Sequence, residues 1–153
     1  VYEAVRSARE RGVLFDAANG TGNFAFSTAV AAIKDGFFPD IISADNASNS
    51  YGLELYAKNL PFVMSKYLTL GLELEQVVRC VTENPAKRLG IQERIGTLAE
   101  GAVADIAIMK LLKKPQVYWD SVKDPSTQMY GEEILVPQMT LIGGMPAFRA
   151  NDF

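Results

Sequence analysis

The segment TENPAKRLG at residues 82–90, with the strand signal GAVADIAI that follows at residues 101–108, decides the fold. The Asn84-Pro85 pair ends one helix and opens another. Asn84 is the predicted N-cap, and Pro85 takes the first helical position, where its missing N–H does no harm. Gly90 ends this short helix, and a turn then leads into a strand. We therefore predict that an α/β half of the chain gives way to an all-β half just after this helix.

The N-terminal half begins with a strand, a helix and a second strand. Residues 13–18 and 40–45 are short apolar runs of the length expected for buried strands. Residues 24–34 between them are typical of an apolar helix, which ends near Gly36. A strand, a helix and a strand at this spacing predict one βαβ unit with parallel strands.

Two amphipathic helices follow this unit, and the periodicity then changes. Residues 60–68 and 74–81 carry apolar side chains at helical spacing. Beyond Gly90, short strands are predicted between glycine and proline turns, at residues 102–109, 116–119, 137–142 and 145–148. The change of period predicts two domains, residues 1–90 and residues 91–153.

Composition excludes several classes of function. The chain has 153 residues, of which 48% are hydrophobic and 22% are charged, as in a globular protein. Its net charge of −3, with no basic stripe, argues against nucleic-acid binding. No apolar run reaches the ~18 residues of a membrane span. The single Cys80 cannot form an internal disulfide, which favours a cytoplasmic protein. The chain contains no histidine, the commonest metal ligand, and this constrains any metal chemistry.

The turn after the first strand has an alternative interpretation. Residues 20–25 satisfy the dinucleotide fingerprint G-x-G-x-x-A, and Asp45 ends the next strand, near where a ribose-binding acid would lie. The same turn resembles the glycine loop of S-adenosylmethionine-dependent methyltransferases. An α/β domain that binds a nucleotide or S-adenosylmethionine with Gly20, Thr21 and Gly22 is therefore an alternative function. The later helices and strands do not continue a doubly wound sheet, which counts against it.

The order of the motifs resembles the C-terminal end of the amidohydrolase superfamily. In that superfamily a helical stretch leads to an NPA…LG turn and then to a strand that reads G-x-x-ADxxxx. Residues 84–105 match this pattern in order and spacing. Residues 14–26 and 39–45 are similar to the seventh and eighth strands of dihydroorotase-like and deacetylase-like members.

The resemblance implies an α/β fold of two unequal parts. Residues 1–90 would form the last two strand–helix units of a TIM (β/α)8 barrel. Residues 91–153 would form the C-terminal part of a small composite β-sandwich domain, and residues 137–144 would be its final strand and hairpin turn.

The same resemblance implies a chemistry. Members of the superfamily use one or two divalent metal ions to activate a water that attacks an amide carbonyl, and so hydrolyse C–N bonds. Asp45, at the end of the eighth strand, would be both a metal ligand and the catalytic residue that takes the proton from this water. Asn19 stands where many members carry histidine. Asn19 and Gly20 are candidate substrate-binding residues, although a turn explains the pair equally well.

Other polar residues of this region receive structural interpretations. Asp16 is expected to be hydrogen-bonded within the strand, and Asn46, Ser48 and Asn49 to belong to a solvated loop on the catalytic face. Cys80 lies at helical spacing among valines, so it is a predicted core residue rather than a nucleophile.

We expect the chain to be only the last part of such an enzyme, whose substrate is a small molecule. The other metal ligands of the superfamily lie on earlier strands, so the divalent metal, with zinc as the expected ion, would be held by the full-length parent. No metal should bind stably to this fragment, because a catalytic site needs at least three protein ligands, and the fragment alone should be inactive. Its open strand edges should associate with the N-terminal part of its own barrel, or with a second copy in a homo-oligomer.

Overall fold

The structure, a computed structural model, describes residues 1–20, 22–46, 57–120 and 127–151. Helices and short parallel strands occupy the first part, and a long antiparallel sheet follows. The elements in chain order are α1 Glu3–Glu10, β1 Asp16–Ala18, α2 Phe26–Lys34, β2 Ile41–Ser43, α3 Leu60–Thr69, α4 Leu74–Val81, α5 Glu83–Leu89, β3 Ile106–Trp119, β4 Gln128–Ile142 and β5 Met145–Arg149.

Strands β1 and β2 are parallel and in register, which confirms the predicted βαβ unit with α2 as its crossover. Both strands are shorter than the apolar runs that predicted them. Within the described residues β1 pairs with β2 alone, so only residues 16–18 and 41–43 of these runs have a ladder partner. The chain just before β1 is still hydrogen-bonded to the segment that leads into β2. The carbonyl oxygen of Phe15 accepts hydrogen bonds from the amides of Asp40 and Ile41.

Helix α3 is buried on most of its surface. The side chain of Asn59 caps its N-terminus by accepting a hydrogen bond from the amide of Phe62 at 2.9 Å. Every residue from 62 to 67 is buried, including a serine and a lysine. Gly71, with φ of 97°, then takes the left-handed conformation that lets the chain leave the helix.

Among the described residues, no helix is long and apolar enough to cross a membrane.

Helix α5 differs in one respect from the sequence prediction. It begins at Glu83 after Thr82, so Asn84 is not its N-cap and Pro85 stands in the third position of the helix. Proline is tolerated there because the first-turn amides have no partner within the helix. The side chain of Asn84 instead donates a 2.7 Å hydrogen bond to the carbonyl of Asp40, tying α5 to the start of β2. Gly90 ends the helix in the left-handed conformation, as predicted.

Strands β3, β4 and β5 form one antiparallel sheet in that order. The segments 102–109 and 116–119 were predicted as separate strands, but residues 106–119 form a single one. Its pairing with β4 shifts in register between Lys113 and Gln116. Pro115 lies at this irregularity, where its missing N–H interrupts no ladder bond. Asp105 precedes β3, and its side chain accepts a 2.7 Å hydrogen bond from the amide of Gly143 in the β4–β5 turn.

One apolar core joins the two halves of the chain. Helix α3 packs against β4, and the Ser65 hydroxyl both donates to the carbonyl of Pro61 and accepts from the amide of Leu135 at 2.8 Å. The rings of Phe62 and Tyr118 pack with their centres 4.9 Å apart. The mixed α/β class is confirmed, whereas the division into residues 1–90 and 91–153 stays a prediction.

Candidate functional site

The carboxyl ends of β1 and β2 meet at one edge of the parallel pair, where Asn19, Gly20 and Asp45 come together. The amide of Asn19 donates to the carbonyl of Ser43 at 3.2 Å, and the amide of Gly20 donates to the carbonyl of Ala44 at 3.0 Å. These two bonds continue the ladder beyond the strands. The three site residues predicted from the sequence are therefore neighbours in the structure.

Asp45 presents an exposed carboxylate at this edge. Its backbone has a φ of 50°, the only positive value at a non-glycine residue among those described. Non-glycine residues in this region are uncommon, and aspartate and asparagine are among the few that adopt it readily. The side-chain amide of Asn23 donates a short hydrogen bond to Asp45 Oδ2, which fixes the orientation of the carboxylate.

Gly20 makes room for this carboxylate. A Cβ atom built on Gly20 would lie 2.7 Å from Asp45 Oδ2, and Gly20 itself has a φ of 46°. The carboxylate therefore lies directly over the backbone of Gly20. The glycine is required by this close approach as well as by its backbone conformation.

Asn19 is fully buried, and its side-chain groups make internal bonds. Its Nδ2 donates to the carbonyls of Ala17 and Ser43, both at 3.1 Å, and its Oδ1 accepts from Lys66 Nζ at 3.3 Å. The side chain thus joins the tips of both strands to helix α3. Substrate contact by Asn19 and Gly20 stays a prediction, and these bonds give Asn19 a structural role in any case.

Lys66 is buried inside the protein, with 1% of its surface exposed. Its Nζ lies 3.5 Å from the centre of the Phe24 ring and 5.1 Å from that of Phe26, within the range of cation–π attraction. Burial lowers the pKa of Lys66 to about 7, and the negative charge of Asp120 opposes this shift. The amine therefore titrates near neutral pH rather than near its usual value.

Asp120 follows the end of β3 and is also buried. Its Oδ2 accepts a 3.2 Å hydrogen bond from the amide of Phe26 at the start of α2. Its Oδ1 is buried and has no hydrogen-bond partner within the described part of the chain. A buried carboxylate with one unpaired oxygen needs a nearby positive charge. When its amine is protonated, Lys66 supplies that charge through the field that acts between the two groups.

Sequence reasoning missed Lys66, Asp120 and Asn23 as members of this region. One signal for Lys66 was present, because a lone lysine interrupts the apolar run of α3 and has no acidic residue near it on that helix. Nothing in the sequence marks Asp120, since its contact with Phe26 spans 94 residues.

The remaining residues considered in the sequence occupy mainly structural positions. Asp16 accepts a 2.9 Å hydrogen bond from the Ser43 hydroxyl. Cys80 is buried as predicted, and burial raises the pKa of its thiol. Asn46 is exposed. Ser48, Asn49 and Thr21 lie outside the described residues.

A metal site cannot be assembled from this chain's described residues. Nowhere in residues 1–20, 22–46, 57–120 and 127–151 do three His, Cys, Asp or Glu side chains converge in the way a metal ion requires. At the strand tips Asp45 offers one carboxylate, which is an acceptable ligand for a divalent ion but not a complete site.

Two features of the described residues around the glycine turn count against a nucleotide-binding fingerprint. Helix α2 begins at Phe26, with Ala25 as its N-cap, so its N-terminus lies beyond the two glycines. The space beside Gly20 is taken by the Asp45 carboxylate rather than left open for a phosphate. The geometry therefore favours a site built around Asp45.

A cleft of about 830 Å³ lies beside β1 and α2. Apolar side chains such as Phe15, Ala29 and Ile33 line much of it, and Asn23 and Asp120 also belong to its lining. The cleft therefore extends from the side of β1 that no described strand covers to the polar groups near Asp45.

Comparison with known proteins identifies the family. The family model described as "Amidohydrolase family" matches residues 8–145. A deacetylase of Agrobacterium fabrum is 32% identical over 142 residues, which cover 92% of this chain and 33% of the relative. A deacetylase of Brucella anthropi is 31% identical over 134 residues, which cover 86% of this chain and 31% of the relative. The chain thus spans about a third of the length of these curated relatives.

Solved structures agree with the sequence comparison. An adenine deaminase superposes with a TM-score of 0.89 at 25% identity, covering 98% of this chain and 39% of the deaminase. A dihydroorotase superposes with a TM-score of 0.80 at 25% identity, covering 97% of this chain and 38% of the dihydroorotase. The resemblance stated from the sequence motifs is confirmed, and the chain belongs to the amidohydrolase family.

Proposed function

We propose that this chain is the C-terminal part of a metal-dependent amidohydrolase that cleaves the C–N bond of an N-acyl amide or a cyclic amide. The observation that carries the proposal is the exposed Asp45 carboxylate at the tip of β2, oriented by Asn23 and seated over Gly20. The two curated deacetylases favour an N-acyl substrate over a cyclic one.

In this proposal β1 and β2 are the seventh and eighth strands of a (β/α)8 barrel, and β3–β5 belong to a β-sandwich. Support comes from the parallel β1–β2 pair, from the edge of β1 that has no partner strand among the described residues, and from the cleft beside it, where an earlier strand–helix unit would pack. Catalytic groups of such barrels lie at the carboxyl ends of the strands, which is where Asp45 lies.

In the proposed chemistry, Asp45 transfers protons. A divalent metal, when bound, lowers the pKa of a water and polarises the amide carbonyl. Asp45 accepts the proton that the attacking water loses, and it later returns a proton to the leaving nitrogen. The hydrogen bond from Asn23 holds the carboxylate in one orientation for both transfers.

The remaining ligands of the metal, with zinc as the proposed ion, would come from outside the described residues, since the chain has no histidine at all. The partner implied is the N-terminal part of the same barrel, and without it the exposed edge of β1 favours a homo-oligomer. We also propose a cytoplasmic location, from the single and buried Cys80.

Metal dependence is the direct test of this function. The complete polypeptide that contains this chain should hydrolyse N-acetyl amides, lose activity when a chelator removes the metal, and recover it when zinc returns. The 153-residue chain alone should be inactive under the same conditions. Hydrolysis that persists in protein shown by elemental analysis to be metal-free would overturn the proposal, as would activity of the chain alone.

The close approach of the Asp45 carboxylate to Gly20 provides a second prediction. Gly20→Ala should reduce kcat by about 10- to 100-fold, because the new Cβ pushes Asp45 Oδ2 out of place and small displacements of catalytic groups carry penalties of this size. Gly22→Ala is the matched control, since its Cβ meets nothing within 4 Å, and it should keep most of the activity. Equal effects of the two substitutions on kcat would show that the contact with Asp45 is unimportant.

A further inference from the structure

A buried polar cluster lies beneath the strand tips and takes no part in the chemistry proposed above. It consists of Asn19, which follows β1, Lys66 on α3, and Asp120, which follows β3. We propose that Lys66 is a positioning residue that holds the tip of β1 through Asn19 and so fixes the place of the Asp45 carboxylate. The inference rests on the proposed function, because it assigns a task to residues that support the same site.

The first link joins Lys66 to Asn19. Lys66 Nζ donates to Asn19 Oδ1 at 3.3 Å, and both side chains are fully buried. The bond is formed away from water, where a lost partner is not replaced by solvent and costs more than it would at the surface. Because Lys66 belongs to the tightly packed helix α3, it offers Asn19 a rigid point of attachment.

The second link joins Asn19 to both strand tips. With Oδ1 held by the amine, the two protons of Nδ2 point to the carbonyls of Ala17 and Ser43. The backbone amide of Asn19 also bonds to the Ser43 carbonyl. One side chain thus fixes the spacing of β1 and β2 where the ladder ends.

The third link joins this point to the carboxylate. Gly20 follows Asn19 directly, and its amide bonds to the carbonyl of Ala44, the residue before Asp45. Since Asp45 Oδ2 rests against the backbone of Gly20, any shift of the β1 tip moves the surface on which the carboxylate lies. Lys66 therefore acts on Asp45 without touching it.

The surroundings of Lys66 hold its amine in place from the other sides. The Phe24 and Phe26 rings flank it, and the buried carboxylate of Asp120 provides the opposite charge. Asp120 is itself tied to the start of α2 by the amide of Phe26. The amine is consequently held near Asn19 by two aromatic rings at the start of α2 and by the field of Asp120 after β3.

Amide hydrogen exchange in the 153-residue chain tests the first two links without any activity assay. Lys66→Met should speed exchange of the Asn19 and Gly20 amides by at least about tenfold, while the amides of α4 and α5 stay as protected as in the wild type. Lys34→Met, at an exposed lysine on α2, is the matched control and should change neither. A uniform rise in exchange along the chain, or no rise at Asn19 and Gly20, would refute the positioning role.

Kinetics of the complete protein test the third link. Lys66→Met should lower kcat by about 10- to 100-fold with little change in KM. Asn19→Ala should lower it similarly, and the double variant should be no worse than either single one, because the two residues act in series. Additive losses, or a loss confined to KM, would refute the inference. Should Lys66→Met fail to fold, Lys66→Gln makes the same test. The glutamine side chain is one bond shorter, so its amide nitrogen does not reach the position from which the lysine nitrogen bonds to Asn19.

Discussion

Asp45→Asn should lower kcat for amide hydrolysis by about 10²- to 10⁴-fold in the complete protein, which is the range that a general base contributes. The asparagine amide has no lone pair that takes up a proton at neutral pH, and it lacks the negative charge that favours a divalent cation. Aspartate and asparagine have nearly the same size and shape. The substitution therefore removes the proposed chemistry and leaves the packing intact.

Two features of the structure make this variant a clean test. The backbone of Asp45 has a φ of 50°, a conformation that asparagine tolerates as well as aspartate. The amide oxygen of an asparagine can still accept the hydrogen bond from Asn23. We expect an unchanged melting temperature together with the loss of turnover. Asp35→Asn, at an exposed carboxylate that pairs with Arg6, is the control and should keep full activity. An Asp45→Asn enzyme with the wild-type rate would remove Asp45 from the mechanism.

The helices and the change from α/β to all-β structure could be predicted because they depend on local signals. Apolar periodicity placed α3 and α4, and Gly71 and Gly90 mark the points where helices α3 and α5 end. Errors arose where a distant contact decided the outcome. Asn84 has the chemistry of an N-cap, but its side chain bonds to the carbonyl of Asp40, and the helix starts at Glu83, two residues earlier than predicted. Strand β3 runs through Pro115 because a register shift accommodates it.

The candidate site was predictable only in part, for a similar reason. Asp45 and Gly20 carry a sequence signal, since both belong to turns at the ends of recognisable strands and match family motifs. The buried charges beneath them carry almost none. Lys66 and Asp120 come near each other only when α3 and the end of β3 pack on the same core. No local sequence pattern predicts this packing. The role of Asn19 likewise becomes visible only from its bonds to Ser43 and Lys66.

The buried lysine also predicts how stability depends on pH. Burial lowers the pKa of Lys66 to about 7, whereas in the unfolded chain the amine has its ordinary pKa near 10.5. Between these two values the unfolded state binds more protons at Lys66 than the folded state does. Stability therefore rises with pH across this window and falls as pH is lowered toward 7.

The ionisation of other groups sets the upper pH limit for measuring the effect of Lys66 on stability. Burial raises the pKa values of Cys80, Tyr67 and Tyr118, so each of these retains its proton in the folded state after the unfolded state has lost it. Their contributions make stability fall with pH above their ordinary pKa values, opposite in sign to that of Lys66. The effect of Lys66 is therefore best isolated from about pH 7 to about pH 8.5, where phenol ionisation is small and thiol ionisation becomes appreciable only at the upper end.

Within that window the free energy of unfolding of the wild-type chain should rise by about 2 kcal/mol, most of it from Lys66. Lys66→Met removes the titrating group, so urea unfolding of this variant should show an almost flat pH dependence, although the absolute stability also changes because Asn19 loses the hydrogen bond from the amine. Lys34→Met leaves the buried amine in place and should keep the wild-type slope. A Lys66→Met variant that gains stability with pH as steeply as the wild type would mean that the amine is not neutral in the folded chain. The field of Asp120 would then be strong enough to keep it protonated despite its burial.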